Sequence, residues 1–249
     1  MKTIFITGGS KGIGKELVRD FSKKGHKVIF TYHFSKDKSE KIVQELKDEG
    51  YNNTQAFQCN MEDEQEVKTL FKTQKQSLKE VDVLINNAGI RDSKISGSPK
   101  PFLMTSSNEW WDVMHNNING VINTSRAVLP SMIKNKSGRI LNITSLAGIK
   151  GNPGQSAYAS SKAAITCFSK SLAKEVSSFG ITINCLAPGF IETEMTEDLP
   201  EKYLKGRVGN SLLKRMGTTS EISNMVSYLA LDAPKFFVNQ ELVVDGGIN

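Results

Sequence analysis

Short apolar runs alternate with amphipathic stretches along almost the whole chain, and that alternation limits the possible folds more than any other feature. Runs at residues 3–7, 27–32, 54–59, 81–86, 138–145, 181–186 and 240–244 read as strands, being short, rich in branched apolar residues and bounded by turn formers. Between them, 13–24, 36–49, 63–79, 108–134 and 157–178 carry apolar residues at helical spacing. Gly25 and Gly50 stand where the first two helices should stop. Strands that alternate with helices pair in parallel, because two parallel neighbours need a crossover long enough to hold a helix. No repeat, low-complexity tract or linker divides the 249 residues. The expectation is one α/β domain over 1–249, a doubly wound parallel sheet of about seven strands with helices on both faces.

Bulk chemistry narrows the class. Hydrophobic residues make up 38% and charged residues 23%, as in globular proteins that live in water. The net charge of +6 comes from scattered Lys and Arg, with no zinc-finger spacing and no long basic run, so nucleic acid is not an expected partner. A mild positive field suits anionic substrates such as phosphates, CoA or acidic carrier proteins. Cys59, Cys167 and Cys185 form no CxxC pair, which points to a reducing compartment without a disulfide framework. The opening apolar run is too short for a signal peptide, and no stretch approaches membrane-spanning length. A cytoplasmic location away from membranes is expected. His26, His33 and His115 lack ligand spacing, so no catalytic metal is expected.

The first strand runs into Thr7-Gly8-Gly9-Ser10-Lys11-Gly12-Ile13-Gly14. Glycines here allow a tight turn and close backbone approach, so that the N-terminus of the following helix can meet a pyrophosphate. At the end of the second strand an acidic residue would hold the ribose 2′-hydroxyl of NAD. The stretch Thr31-Tyr32-His33-Phe34-Ser35-Lys36 has no carboxylate before Asp37. Lys11, His33, Ser35 and Lys36 instead offer donors to a 2′-phosphate. The expected cofactor is NADP(H), on a Rossmann-type fold.

Farther along, Tyr158-x-x-x-Lys162 follows Ser145 by thirteen residues. Residues four apart stack on one helix face. A phenol ionises near pH 10, and an adjacent ammonium favours the phenolate. A drop of roughly 3 units corresponds to about 4 kcal/mol. Ser145, at the carboxyl end of the fifth strand, is placed to polarise a carbonyl oxygen. Tyr158 would then deliver a proton as hydride arrives from a nicotinamide. The pair and the glycine loop together predict hydride transfer to or from a carbonyl carbon.

These residues resemble the short-chain dehydrogenases/reductases over essentially the whole chain: Thr7-Gly8-x-x-x-Gly12-Ile13-Gly14, Asn86-Asn87-Ala88-Gly89, Asn117, Ser145, Tyr158-x-x-x-Lys162 and Pro188-Gly189. Within the family the chain is most similar to the bacterial 3-oxoacyl-acyl-carrier-protein reductases of fatty-acid synthesis. Residues 151–158, 187–195 and 243–247 carry that likeness. The resemblance implies a catalytic tetrad. Tyr158 is the proton donor and Ser145 orients the carbonyl. Lys162 binds the nicotinamide ribose and lowers the Tyr pKa, and Asn117 holds a water that links Lys162 to solvent. Gly8, Ser10, Lys11, Gly12, Ile13 and Gly14 form the implied phosphate cradle. His33, Asn60 and Met61 stand at the adenosine end, and Asn87, Ala88 and Gly89 line its ribose. Pro188, Gly189, Ile191 and Thr193 lie along the nicotinamide. The resemblance further implies reduction of an acyl-carrier-protein-linked 3-oxoacyl thioester, with acetoacetyl-CoA or a non-thioester ketone, sugar or polyol as alternatives. A catalytically silent NADPH-binding regulator is a remote alternative. It also implies a homotetramer.

Three departures stand out. The chain is longer than those reductases between Asp92 and Glu109, with residues 94–101 as the insert near the substrate mouth. Phe179 replaces the Arg with which they dock their acidic carrier, although Lys136 keeps a charge at the companion position. Asn239-Gln240 replaces the usual Thr-Gly before the last strand, where a subunit contact is expected. The stretch 196–215 is expected to cover the substrate, and Trp110-Trp111 to pack at a helix start.

Overall fold

The computed structural model describes residues 1–91, 99–197, 206 and 208–248. Residues 94–98 of the insert, and residues 198–205 and 207 of the stretch 196–215, lie outside them. The described strands are β1 (Thr3–Ile6), β2 (Lys27–Tyr32), β3 (Thr54–Gln58), β4 (Val83–Asn86), β5 (Gly138–Ile143), β6 (Ile181–Pro188) and β7 (Glu241–Val244). They form one sheet in the order 3-2-1-4-5-6-7, and every pairing is parallel. Sequence periodicity therefore located all seven, with ends differing by a residue or two.

Successive side chains on a strand point to opposite faces, and both faces of this sheet are covered. Ile4, Ile6, Val28, Phe30, Val83 and Ile85 pack on one side, against Leu17, Val18 and Phe21 of α1 (Gly12–Lys23). Phe5, Ile29, Leu84 and Ile140 point to the other side. They meet Val67 and Leu70 of α3 (Glu64–Thr73), Val128 and Met132 of α5 (Ser107–Asn135) and Ala173 of α7 (Ser156–Val176). Double coverage explains why the strands read as nearly unbroken apolar runs. Each such side chain contributes roughly 1.5–3 kcal/mol by leaving water.

Short helices aside, the helices depart from expectation in two places. The stretch 63–79 is not one helix: Gln74 leaves helical geometry at φ −97° and ψ 32°, dividing α3 from α4 (Lys75–Leu78). A helix that periodicity did not single out, α9 (Thr219–Leu231), covers the first core through Ile222, Val226 and Leu229. It starts at a capping box. The Thr218 hydroxyl accepts from the Glu221 amide at 3.2 Å, and the Glu221 carboxylate accepts from the Thr218 amide at 2.8 Å. Arg215 beside Glu221, with the Thr218 amide, pulls that carboxyl down to about 2. At its other end Arg139 donates to the carbonyls of Leu229 and Ala233 at 2.8 and 2.6 Å.

A buried polar chain crosses the second face. Thr124 donates to Asn86 at 2.6 Å, Asn86 to Asn142 at 2.8 Å, and Asn142 to Ser169 at 2.7 Å. It ties α5, β4, β5 and α7 at a fixed register, because every buried member would leave an unpaired group if the elements slid. Asn239, in the loop before β7, sits at φ 61° and donates its amide to Ile183 at 2.9 Å. Asn tolerates this left-handed backbone better than most residues. No helix among the described residues is long and apolar enough to cross a membrane.

Candidate active site

In a parallel sheet all carboxyl ends lie on one edge, and the order reverses where β1 pairs with both β2 and β4. Ligands of doubly wound sheets bind in that crevice. The loops after β1 through β6 bring the implied residues there: Gly8 to Gly14, His33, Asn60 and Met61, Asn87 to Gly89, Ser145, and Gly189 to Thr193.

The glycine loop is held by backbone-scale fit. A β-carbon at position 14 would lie 2.1 Å from the Gly8 carbonyl oxygen, so no larger residue fits there without moving the loop. Across the switch point, the Asn87 side-chain amide donates to the carbonyls of Thr7 and Gly8 at 3.1 and 3.0 Å. The Thr7 hydroxyl accepts from the Asn87 and Ala88 amides, both at 3.0 Å. Asn87 thus clamps the loop rather than pointing freely into the crevice. Ser10 and Ile13 are partly buried, and Lys11 is exposed just before α1. The Gly12 amide donates to the Glu194 carboxylate at 3.0 Å.

At the β2–β3 end the exposed His33 ring stacks on Phe34 at 3.7 Å. Asn60 accepts from the Glu62 amide at 3.2 Å. Met61 is buried, with its sulfur accepting from Thr31 at 3.3 Å. After β6, whose last residue is Pro188, the Gly189 amide donates to Val244 at 2.9 Å. Ile191 is buried, and the Thr193 amide donates to Thr196 at 3.0 Å. A cavity of about 430 Å³ opens beside Gly12, lined by Lys15, Glu192, Thr193 and Glu194 among others. These residues fit a nicotinamide dinucleotide: a cradle with no room for side chains, and a helix-start amide already holding a carboxylate where a phosphate oxygen would sit.

Tyr158 and Lys162 lie one turn apart on α7, as their spacing predicts. Lys162 is buried, its ammonium donates to the Ile143 carbonyl at 2.9 Å, and its Nζ stands 5.7 Å from the centre of the Tyr158 ring. Burial pushes its pKa from 10.5 to about 8. Ser145 caps α6 (Leu146–Lys150) and accepts from the Ala147 amide at 3.2 Å. Its partly buried hydroxyl oxygen thus has one settled partner. Asn117, on α5, grips the peptide of Ile90. Its oxygen accepts from the Ile90 amide at 2.8 Å, and its nitrogen donates to the Ile90 carbonyl at 2.9 Å and to Ser161 at 2.9 Å. Ser161 donates back to the Tyr158 carbonyl at 2.7 Å. A β-carbon on Gly89 would stand 3.0 Å from the Asn117 oxygen and 3.4 Å from the Lys162 nitrogen. Gly89, Asn117 and Lys162 therefore converge on one spot.

Sequence reasoning passed over several residues of this edge. Ser161, the Ile90 peptide and Glu194 emerge only from the three-dimensional arrangement. Asn86 and Asn142 carried a signal, since Asn is depleted from strands and each stands inside one. Trp110 donates to Ser156 at 3.1 Å and so ties the start of α5 to that of α7, whereas Trp111 is about half exposed and stacks on His115. Phe179 lies in a short turn after α7 and is partly exposed. The thiols of Cys59 and Cys185 are buried, which raises them to about 12 and about 11.

Comparison with known proteins now places the chain. A family model described as short chain dehydrogenase matches residues 2–204. A 3-oxoacyl-acyl-carrier-protein reductase of Staphylococcus epidermidis is 37% identical over 247 residues, covering 99% of this chain and 98% of the relative. Its counterpart in Haemophilus influenzae is 38% identical, covering 99% and 98%. The crystal structure of a 3-oxoacyl-acyl-carrier-protein reductase from Brucella melitensis superposes with a TM-score of 0.91 at 28% identity, covering 99% of this chain and 91% of that one. With that fold, that crevice and those matches, the chain belongs to the short-chain dehydrogenase family, nicotinamide-dependent oxidoreductases that interconvert carbonyl and hydroxyl groups.

Proposed function

We propose that residues 1–249 act as one NADP(H)-binding domain that reduces the 3-oxo group of an acyl-carrier-protein-linked thioester to the 3-hydroxyacyl product. The observation that carries this reading is the convergence of Gly89, Asn117 and Lys162 at the edge of a dinucleotide crevice, with the Tyr158 ring 5.7 Å from the Lys162 ammonium. The near-full-length likeness to 3-oxoacyl-acyl-carrier-protein reductases supports the substrate class. Gly8, Ser10, Gly12, Ile13 and Gly14 would hold the pyrophosphate, and Lys11 with His33 the 2′-phosphate. Asn60, Met61 and Ala88 would line the adenosine. Pro188, Gly189, Ile191 and Thr193 would line the nicotinamide. When bound, that cofactor supplies the hydride.

The chain's own residues carry the proton. Ser145 at the crevice mouth offers a hydroxyl to the substrate oxygen and polarises it. Tyr158 gives its proton to that oxygen as negative charge develops on it. Lys162, fixed by the Ile143 carbonyl, keeps a positive charge against the phenol and so favours the phenolate left behind. Asn117 steadies the Tyr158 turn through Ser161 and the backbone next to Gly89 through Ile90, and it is the place where a water would relay protons to Lys162. A homotetramer in the cytoplasm completes the reading.

A second reading keeps this chemistry and changes the carrier. Phe179 presents a partly exposed ring where the similar reductases place an arginine, which removes a charge for docking an acidic carrier and leaves acetoacetyl-CoA as the alternative. Following NADPH absorbance with a 3-oxoacyl carrier-protein thioester, acetoacetyl-CoA and a panel of small ketones decides between them. The carrier-linked substrate is expected to show the highest kcat/KM; activity confined to non-thioester ketones defeats both readings.

A further inference from the structure

The N-terminus of α1 lacks an anion of its own. Lys11 caps it without a side-chain hydrogen bond, and the first turn holds no acidic residue. The first amides of a helix have no partner within the helix and carry its positive dipole end. The acceptor comes instead from 182 residues along the chain: the Glu194 carboxylate takes the Gly12 amide at 3.0 Å.

The neighbouring geometry makes this a seated contact. A β-carbon on Gly12 would lie 3.2 Å from the Thr193 methyl, so the segment after β6 rests directly on the helix start. That segment is braced locally, because Thr196 accepts from the Thr193 amide and donates to the Ile191 carbonyl. Glu16 and Glu192 also face the cavity beside Gly12, with Lys15 as the nearby cation. A dianionic pyrophosphate brought to the same amide would meet the Glu194 charge head on.

We infer that Glu194 is an intramolecular stand-in for a cofactor phosphate: in the free protein it latches the post-β6 segment onto the pyrophosphate seat, and dinucleotide binding displaces it. This deepens the cofactor reading above and rests on it. The latch lowers apparent cofactor affinity by the fraction of molecules in which the seat is open. Cofactor arrival then frees Glu194 from Gly12, so loading of the crevice and the seating of residues 191–196 are coupled.

Three measurements on the full chain test this. Hydrogen exchange by NMR is read at the Gly12 amide of the free protein, with Glu194→Ala expected to speed it. Calorimetric Kd values are read for NADPH and for 2′-AMP, which lacks the pyrophosphate. Glu194→Gln and Glu194→Ala are expected to tighten NADPH about three- to tenfold, the range of a charge-assisted contact at a helix end, and to leave 2′-AMP unchanged. Unchanged Gly12 exchange, equal tightening of both ligands, or weaker NADPH binding each overturns the latch. Absence of NADPH binding to the unmutated chain overturns the cofactor reading as well, and is seen before any variant is compared.

Discussion

The crevice has two walls built on different principles. The wall from β4, β5, α5 and α7 is buried and locked, with Lys162 on Ile143, Asn117 on Ile90 and Ser161, and the Thr124–Asn86–Asn142–Ser169 chain behind. The wall after β6 is anchored at its root by buried Ile191 and the backbone bridge to Gly217, and beyond that by Glu194 on Gly12 and the short-range bonds of Thr196. A buried polar group left without its partner costs the full desolvation penalty, whereas an exposed one finds water. The locked wall suits groups whose geometry must not vary; the latched wall suits a part that must open for each cofactor and substrate.

That contrast breaks most readily at Tyr158. Tyr158→Phe is expected to cut kcat by about 10²–10⁴, the range of general acid catalysis, while the NADPH Kd stays within about twofold on calorimetric titration. A variant that keeps its kcat removes the phenol from the mechanism.

Lys162 gives the next largest effect. Its folded pKa is about 8 against 10.5, so the unfolded chain binds more protons between those values and stability rises with pH across that window. Below pH 8 the buried charge costs the full amount, about 3 kcal/mol. Urea unfolding at pH 7.5 and 10.5 should therefore show a steeper rise for the unmutated chain than for Lys162→Met, whose turnover is lost. Parallel slopes would mean that the ammonium is not buried as described.

Asn117→Ala leaves the Ile90 amide and carbonyl without their side-chain partner and is expected to cost about 2 kcal/mol in urea unfolding. Thr196→Ala, on the latched wall, is expected to change global stability by less than about 0.5 kcal/mol. It should nevertheless speed hydrogen exchange at the Thr193 amide. If the two variants destabilise equally, the walls do not differ in the manner described.

Much of this was legible in the residue order. Central strands buried on both faces read as apolar runs, and the half-exposed edge strands β3 and β7 as short strand-forming stretches, so all seven and their parallel arrangement followed from pattern alone. The glycine loop and the Tyr158–Lys162 pair were legible because their spacing is local, within one turn or one helix. Other features hid for definite reasons. The break at Gln74 has no proline or glycine to announce it. The α9 start was written as Thr218-x-x-Glu221, but the buried Ser223 and Ser227 break up the apolar face that periodicity reads.

Residue order alone settles the class of fold, the edge on which a site must form and the side chains able to move a proton there. Those depend on period and on spacing along a single element. It takes the packed fold to set Asn117 on Ile90, Asn87 on the glycine loop and Glu194 on Gly12. These partners stand 27, 79 or 80, and 182 residues apart. No local pattern encodes such pairs, because each exists only once the packed sheet has brought its loops to a common edge.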